Sequence, residues 1–223
     1  MKLYKYRSLE QIEFTLDILL NERLHCAHYE KLNDPFEGLF LSVMHFDGPL
    51  NFGMNIFGLN GTVKNPQTIS ELPILGSARV CSLSASNSDV RLWSHYANGH
   101  TGIAIEIEVD EEKEELHGVE YVKELKELTY SLLTTPKAEE ILRVKSKHWD
   151  YESEYRIITD QEFYSIGKSI TGIYLGLRTP LLLRQMLLKS VGDAIPVFTT
   201  KLNEKTIEIE LNKVLQPTAK SGG

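Results

Sequence analysis

Two glutamates and an arginine stand close together in the stretch HWDYESEYRI, residues 148–157. Its alternation predicts a β-strand, in which residues i and i+2 share a face, so Glu152 and Glu154 would lie about 7 Å apart. Neighbouring carboxylates can act as a general acid and base or stabilise a developing positive charge. The plainer interpretation is an exposed strand on which Glu154 pairs with Arg156.

Further residues suited to chemistry occur in two other regions. The candidates are Tyr6 and Arg7 near the N-terminus, and Ser82, Ser84, Trp93, His95 and Tyr96 in the middle of the chain. Arginine binds phosphate through charge-assisted hydrogen bonds, and aromatic rings stack on planar ligands. Each of these residues also has an ordinary structural role, because surface arginines, strand serines and partly buried histidines are common.

The composition indicates a soluble globular protein without an overall affinity for polyanions. The chain has 223 residues, of which 42% are hydrophobic and 25% charged, and its formal net charge is −7. An acidic chain provides no general electrostatic attraction to nucleic acid or to an anionic membrane. Cys26 and Cys81 lack metal-binding spacing and suit a reducing compartment. With no leader and no apolar run of about 18 residues, the expected location is cytoplasmic, with no membrane partner.

The order of predicted elements favours an α+β fold. Strands are predicted at 2–7, 24–27, 77–86, 100–109, 148–157 and in three segments beyond residue 169, and helices at 8–20, 87–99, 137–147 and 179–190. Several strands follow one another without room for a crossover helix. The prediction is therefore a single domain with a split or strongly bent, mixed but largely antiparallel sheet flanked by helices.

The predicted domain spans residues 1–218, with a flexible tail at 219–223. Residues 48–76 are rich in Gly, Asn and Pro, and they are interpreted as a loop-rich excursion or flap over the body. The functional prediction is that Arg7, Ser82 and Glu154, together with the aromatic helix 87–99, converge in a cleft beneath that flap.

Five motifs resemble a widespread prokaryotic family that is carried as a domain of unknown function. They are LYKYRSL (3–9), LNDPFEG (32–38), LWSHYANGHTG (92–102), YESEYRI (151–157) and IYLG (173–176). The resemblance covers most of the chain, from Leu3 to about Gly176. It implies a cytosolic protein of a bacterium or phage, and it brings no established activity with it.

The order of Arg7, Ser82-x-Ser84 and Glu152-x-Glu154 more distantly resembles the arginine-type ADP-ribosyltransferases. That resemblance implies NAD as substrate, no metal, and a toxin or defence setting. It implies that Glu154 stabilises the oxocarbenium ion and that Glu152 orients or deprotonates the nucleophile. Arg7 would hold the pyrophosphate or ribose, and Ser82 and Ser84 the ribose. Tyr6, Trp93, Tyr96 and Arg156 would complete the NAD site, with Trp93 or Tyr96 stacked on nicotinamide.

Two other functions remain open from the residues alone. In one, a metal-dependent phosphodiester hydrolase uses His95 as base and the paired carboxylates as Mg²⁺ ligands. In the other, the aromatic helix and the NDPFE turn form a non-catalytic surface that recognises a protein partner. For an enzyme acting on NAD, the acceptor is a protein, a nucleic acid or water. A second Glu-x-Glu, Glu106 and Glu108, lies on a more regular strand and lacks the aromatic flanks.

Overall fold

The computed structural model describes residues 1–45, 62–68, 77–129, 136–206 and 208–215. Within these ranges the α-helices are α1 (Ile12–Asn21), α2 (Val90–Tyr96), α3 (Ala138–Leu142) and α4 (Leu181–Val191), and 3-10 helices span Tyr29–Lys31 and Lys147–Glu152. The strands are β1 (Lys2–Arg7), β2 (Arg23–His25), β3 (Ala27–His28), β4 (Leu39–His45), β5 (Thr62–Thr68), β6 (Arg79–Ser84), β7 (Ile103–Glu108), β8 (Leu116–Gly118), β9 (Glu120–Val122), β10 (Glu127–Thr129), β11 (Val144–Ser146), β12 (Glu154–Thr159), β13 (Phe163–Ser165), β14 (Ile170–Leu175), β15 (Val197–Leu202) and β16 (Ile209–Leu215).

The central sheet confirms the predicted α+β class and the bent, mainly antiparallel architecture. Eight strands lie in the order β16-β15-β14-β7-β1-β6-β12-β8 and curl strongly into a half-barrel, while β3 pairs with β6 from outside this path. β14 and β15 run parallel, whereas the other neighbours in this sheet are antiparallel. None of the described helices has the length and apolar composition needed to cross a membrane.

Strand β7 lies at the centre of the core, as its sequence pattern predicts. Ile103, Ile105 and Ile107 are fully buried and pack against apolar residues of α1 and α4, among them Ile18 and Leu187. β7 is hydrogen-bonded to β1 on one side and to β14 on the other. This apolar face attaches the two long helices to the sheet and leaves the opposite face for polar residues.

The predicted short helix is confirmed as α2, and its ends follow the expected signals. The side chain of Asp89 accepts a hydrogen bond of 2.8 Å from the backbone N–H of Arg91, which is the expected N-cap. Gly99 follows the helix with a φ of +61°, a conformation that glycine adopts without steric cost. By contrast, α1 begins at Ile12 and not at Ser8 as predicted.

Two predictions for residues 137–157 are wrong. The predicted helix 137–147 ends at Leu142, and residues 144–146 form β11, which pairs in parallel with β9. The predicted strand 148–157 begins only at Glu154, because residues 147–152 form a 3-10 helix and Ser153 adopts a left-handed φ of 44°. Tertiary hydrogen bonds fix this bend: Ser84 Oγ donates to the Glu152 carbonyl (2.6 Å), and the Ala85 N–H donates to the Ser153 carbonyl (2.9 Å).

The segment interpreted as a flap contains one described strand. Residues 62–68 form β5, which pairs antiparallel with β4, and β10 pairs in parallel with the other side of β4. The rest of the 48–76 segment and the tail at 219–223 lie outside the described residues. The flap and the domain boundaries therefore stay predictions.

The polar face of β7 buries a carboxylate in a complete set of hydrogen bonds. Glu106 is 3% exposed. One of its oxygens accepts hydrogen bonds from Lys2 Nζ (2.8 Å) and Thr171 Oγ1 (2.7 Å), and the other from the hydroxyls of Tyr4 (2.9 Å) and Tyr174 (2.7 Å). Burial by itself would raise the pKa of Glu106, but these donors, Lys2 foremost, lower that pKa to about 2.

We expect Glu106→Gln to lower the free energy of unfolding at pH 7 by about 3 kcal/mol, because it removes a buried charge from four matched donors. Because the folded-state pKa is depressed, this contribution is present above the ordinary pKa of 4.5 and is lost as pH falls toward 2. Denaturant melts between pH 3 and 7 measure both effects. Glu108→Gln, an exposed change on the same strand, is the control. An equal loss of unfolding free energy in both variants would contradict the stabilising role assigned to the buried Glu106 carboxylate.

Candidate functional site

A cleft of about 400 Å³ opens between β1, β6, α2 and the segment around residues 145–154. Its walls include eight of the ten predicted site residues: Tyr6, Arg7, Ser82, Ser84, His95, Tyr96, Glu152 and Glu154. They come from four separate parts of the sequence. The fold thus places Arg7 and Glu154 in one cleft and not on opposite surfaces.

Three adjacent strands bring the polar residues of the cleft together. Tyr4 of β1 and Glu154 of β12 are the Cα partners of Ser84, which lies on β6 between them. Ser82 lies on the same face of β6 as Ser84, because side chains two residues apart on a strand point the same way. The order β1-β6-β12 therefore places the N-terminal strand beside the Glu154 strand.

Lys145 holds the two glutamates of the ESE motif together. Its ammonium group lies 2.6 Å from a carboxylate oxygen of Glu152 and 2.8 Å from one of Glu154. All three side chains are at most 5% exposed. Although Glu152 is not on the β12 strand, the 3-10 helix returns its carboxylate to the same ammonium group.

Arg156 and Glu37 extend this charged cluster behind the cleft. The guanidinium group of Arg156 is fully buried; its Nε donates to Glu154 (2.8 Å), its Nη2 donates to Glu37 (2.7 Å), and its Nη1 donates to the carbonyl of Leu142. The cluster consequently contains three carboxylates and two cations. With all five groups ionised it retains one negative charge.

The NDPFE turn positions Glu37 in the cluster. Asp34 is 4% exposed, and its carboxylate accepts hydrogen bonds from the backbone N–H groups of Phe36 (3.0 Å) and Ser146 (3.3 Å). The first bond shapes the turn, and the second ties it to β11, the strand of Lys145. This motif is therefore a structural support that carries one of the three carboxylates.

The pKa shifts follow from burial opposed by pairing. Burial would raise the pKa of Glu154, but Arg156 and Lys145 lower it to about 2. Burial would lower the pKa of Lys145, but Glu154 and Glu152 raise it above the ordinary value, so the ammonium stays charged. For Glu37, burial outweighs Arg156 and the pKa is raised. Glu37 therefore protonates before Glu154 as pH falls.

Tyrosine hydroxyls complete the hydrogen bonding around the glutamates. Tyr96 donates to Glu152 (2.6 Å) and accepts from the side-chain amide of Asn33 (2.9 Å). Burial and the neighbouring Glu152 raise the pKa of Tyr96, so its hydroxyl remains a donor at neutral pH. The hydroxyl of Tyr121 accepts the backbone N–H of Glu154 (2.7 Å). These bonds fix the carboxylates without any ligand.

Arg7 is a cation of the cleft that forms no ion pair with a described residue, as is also true of Lys5 and Lys31. Among the described residues, no carboxylate lies within 4 Å of its guanidinium group, and its buried Nε has no hydrogen-bond partner. The nearest ring is that of Phe14, 5.4 Å from Cζ. Burial lowers the pKa of Arg7, although arginine stays charged at neutral pH. The nearby charge of Glu13 partly offsets the effect of burial, but no direct ion pair occupies the guanidinium group, so it is available to an anion.

Two predicted ligand-binding residues do not reach the cleft. Trp93 is fully buried, donates its indole N–H to the carbonyl of Asn87 (2.9 Å) and packs edge-on against Tyr6 at 5.2 Å. Trp93 therefore lies in the core and not on the cleft wall; stacking on nicotinamide, for which Tyr96 is the other candidate, stays a prediction. Arg156 lies behind Glu154 with all its donors used in the protein, so it positions glutamates and does not contact a ligand.

Two other predicted residues have structural hydrogen bonds within the cleft wall. Ser84 Oγ donates to the Glu152 carbonyl, and the Tyr6 hydroxyl donates to the Ser86 carbonyl (2.9 Å). Ser82 lines the cleft half-buried, and His95 is exposed at its rim. Ser84 and Tyr6 thus support the site, while Ser82 and His95 have free faces toward the cleft.

Two members of the charge cluster, Lys145 and Glu37, are not among the predicted site residues, although Glu37 lies in the NDPFE turn that the sequence singles out. Lys145 falls in the predicted helix 137–147, although the alternation Val144-Lys145-Ser146 is equally compatible with a short strand. Glu37 ends a turn motif whose own hydrogen bonds account for the residues in it, without any ligand. Their role depends on contacts between residues at least seven positions apart in the sequence. Glu37 and Arg156, which are in contact, are 119 positions apart.

The comparisons with known proteins agree with part of the predicted resemblance. The family described as "Protein of unknown function (DUF2971)" matches residues 92–157, which include most of α2, all of β7, Lys145 and the ESE motif. No curated protein and no solved structure matches the chain. The matched region thus contains the buried charge cluster apart from Glu37, but the comparisons attach no activity to it.

We expect Glu154→Gln to lower the free energy of unfolding by about 3 kcal/mol, because it replaces the charged acceptor shared by Lys145 and Arg156 with an amide whose NH2 group cannot accept their hydrogen bonds. On an exposed strand, losing the pair with Arg156 would cost only about 0 to 1 kcal/mol. Chemical denaturation at pH 7 measures the change. Asp150→Asn is the control, since Asp150 is exposed and pairs only with Lys147 at 3.6 Å. Two indistinguishable variants would refute the buried cluster.

Proposed function

We propose that this protein binds NAD in the cleft and breaks the bond between nicotinamide and ribose, passing ADP-ribose to an acceptor or to water. The observation that carries the proposal is that two features occur together. One is Arg7, a cation without a counter-ion, and the other is a buried cluster that has one surplus negative charge. Both face the same cleft. The remote resemblance to ADP-ribosyltransferases, in both fold and motifs, is part of what we propose.

The charge distribution suits a ligand that is anionic at one end and becomes cationic at the other. Arg7 and the neighbouring Lys5 offer positive charge to a pyrophosphate, with Lys5 Nζ already held by the carbonyl of Ser82 (2.9 Å). Across the cleft, the net negative cluster around Glu154 favours positive charge on a ribose. Because the cluster is held rigidly by Lys145 and Arg156, little reorganisation is needed when that charge appears.

The proposed reaction has few steps in which the protein takes part. The bond between ribose C1′ and the nicotinamide nitrogen breaks, nicotinamide leaves as a neutral molecule with the bonding electron pair, and the ribose becomes an oxocarbenium ion. Glu154 stabilises this ion. An acceptor hydroxyl, amine or water then adds to C1′ and transfers its proton to Glu152. Tyr96, bonded to Glu152, holds that carboxylate toward the acceptor.

The alternative of a metal-dependent hydrolase has no observation in its favour. The ammonium group of Lys145 occupies the position between Glu152 and Glu154 in which a divalent cation would bridge them. Within the described ranges, no group of three His, Cys, Asp or Glu side chains is arranged to hold a metal ion. The alternative of a non-catalytic module that recognises a protein partner would be supported by a closed, filled cleft, and this cleft is open.

We expect Arg7→Met to raise the KM for NAD about tenfold or more while kcat changes little, because Arg7 contacts phosphate equally in the ground state and the transition state. The melting temperature should stay the same or rise, since Arg7 has no acidic partner to leave unpaired. Nicotinamide release measured against NAD concentration tests this. Arg23→Met, which breaks the Asp17 pair outside the cleft, is the matched control. An unchanged KM in Arg7→Met would reject the proposed phosphate contact.

We expect Glu154→Gln to lower the rate of nicotinamide release about 10²-fold or more when it is assayed below its melting temperature, because the charge that stabilises the oxocarbenium ion is removed. Glu152→Gln should impair transfer to an acceptor more than hydrolysis, because its role concerns the nucleophile. Release of nicotinamide and labelling of acceptors from labelled NAD measure the two separately. Wild-type rates in Glu154→Gln would end the proposal.

A further inference from the structure

A second groove adjoins the cleft and is lined mainly by rings. Phe36, His95, Trp149 and Tyr151 line it, and His95 also lines the cleft. Phe36 is 57% exposed, an unusual environment for phenylalanine. The ring centroids of Trp149 and Tyr151 are 6.1 Å apart, and each lies 6.5 Å from that of His95. The groove is therefore an aromatic surface continuous with the proposed reaction site.

The groove lies on the side of the site from which an acceptor would approach. Tyr151 directly precedes Glu152, the carboxylate assigned to the nucleophile, and His95 directly precedes Tyr96, which bonds that carboxylate. Arg7 and Lys5 line only the cleft. A group held in the aromatic groove would thus meet the site at Glu152 and away from the proposed phosphate contacts.

Cations border the groove in an otherwise acidic protein. The Cζ atom of Arg91 lies 3.9 Å from the centroid of the Tyr151 ring, and exposed Lys147 belongs to the 3-10 helix that carries Trp149. Both cations lie beside the groove and are ion-paired: Arg91 donates to the two carboxylate oxygens of Asp89 (3.1 and 2.7 Å), and Lys147 lies 3.6 Å from Asp150, so a phosphate would compete with these carboxylates. Aromatic rings beside arginine and lysine are the combination that binds unpaired bases next to a phosphate backbone.

We infer that the aromatic groove binds an unpaired base of a single-stranded nucleic acid and that this strand is the acceptor. The base stacks on Trp149 and Tyr151 against Phe36, and the neighbouring phosphates meet Arg91 and Lys147. The inference rests on the proposed function for the acceptor role, whereas binding itself requires no NAD. Duplex bases are stacked on one another, so their faces are not accessible to the groove.

Tryptophan fluorescence tests the binding directly, because the chain has only two tryptophans and Trp93 is buried in the core. Single strands of oligothymidylate or oligoadenylate of about 12 nucleotides should quench the emission, and Trp149→Phe should abolish the change. Phe36→Ala and Tyr151→Ala should raise the Kd about tenfold or more. Phe163→Ala, an exposed ring on β13, is the matched control and should leave the Kd unchanged.

The other outcomes overturn the inference. Absence of quenching by single strands, equal binding of the duplex, or an unchanged Kd in both alanine variants would exclude a base-binding groove. Quenching by AMP or NAD alone as strong as that by the oligonucleotides would assign the groove to the NAD substrate itself. Nicotinamide release measured separately distinguishes failure of the groove from failure of the proposed reaction, because the binding assay contains no NAD.

Discussion

The buried ion cluster around Lys145 and Arg156 is the interaction on which the site depends. Each cation contacts Glu154, and each has a second glutamate, so removing either cation would leave buried carboxylates without a partner. The cluster joins the NDPFE turn, β11, the 3-10 helix and β12. It thereby ties the NDPFE turn to residues 145–156.

Stability and electrostatics in this site arise from the same groups. The two cations lower the pKa of Glu154 to about 2, so its charge is maintained throughout the physiological range. The surplus of one carboxylate leaves the cluster net negative, while Arg7, which lines the same cleft, forms no ion pair with a described residue. A cleft lined by charges of both signs can orient a polar ligand before any conformational change is needed.

The fold also buries a carboxylate away from the cleft, and its role is purely structural. Glu106 is matched by one lysine and three hydroxyls, and its whole environment lies on strands of the central sheet. All its acceptor oxygens are used and it lines neither the cleft nor the aromatic groove. The same Glu-x-Glu spacing therefore serves sheet stability at 106–108 and borders a cleft at 152–154.

Local patterns in the sequence determined the apolar strand β7, the Asp89 cap of α2, the turn at Asn33-Asp34-Pro35 and the α+β class, because periodicity, capping and turn chemistry act over a few residues. The order of Arg7, Ser82 and Glu154 along the chain also indicated one shared cleft. Only the tertiary structure decided that Lys145 bridges the glutamates, that Glu37 pairs with Arg156, and that Trp93 is core while Trp149 is surface. These outcomes depend on contacts between distant segments, whose free energy does not appear in any local pattern.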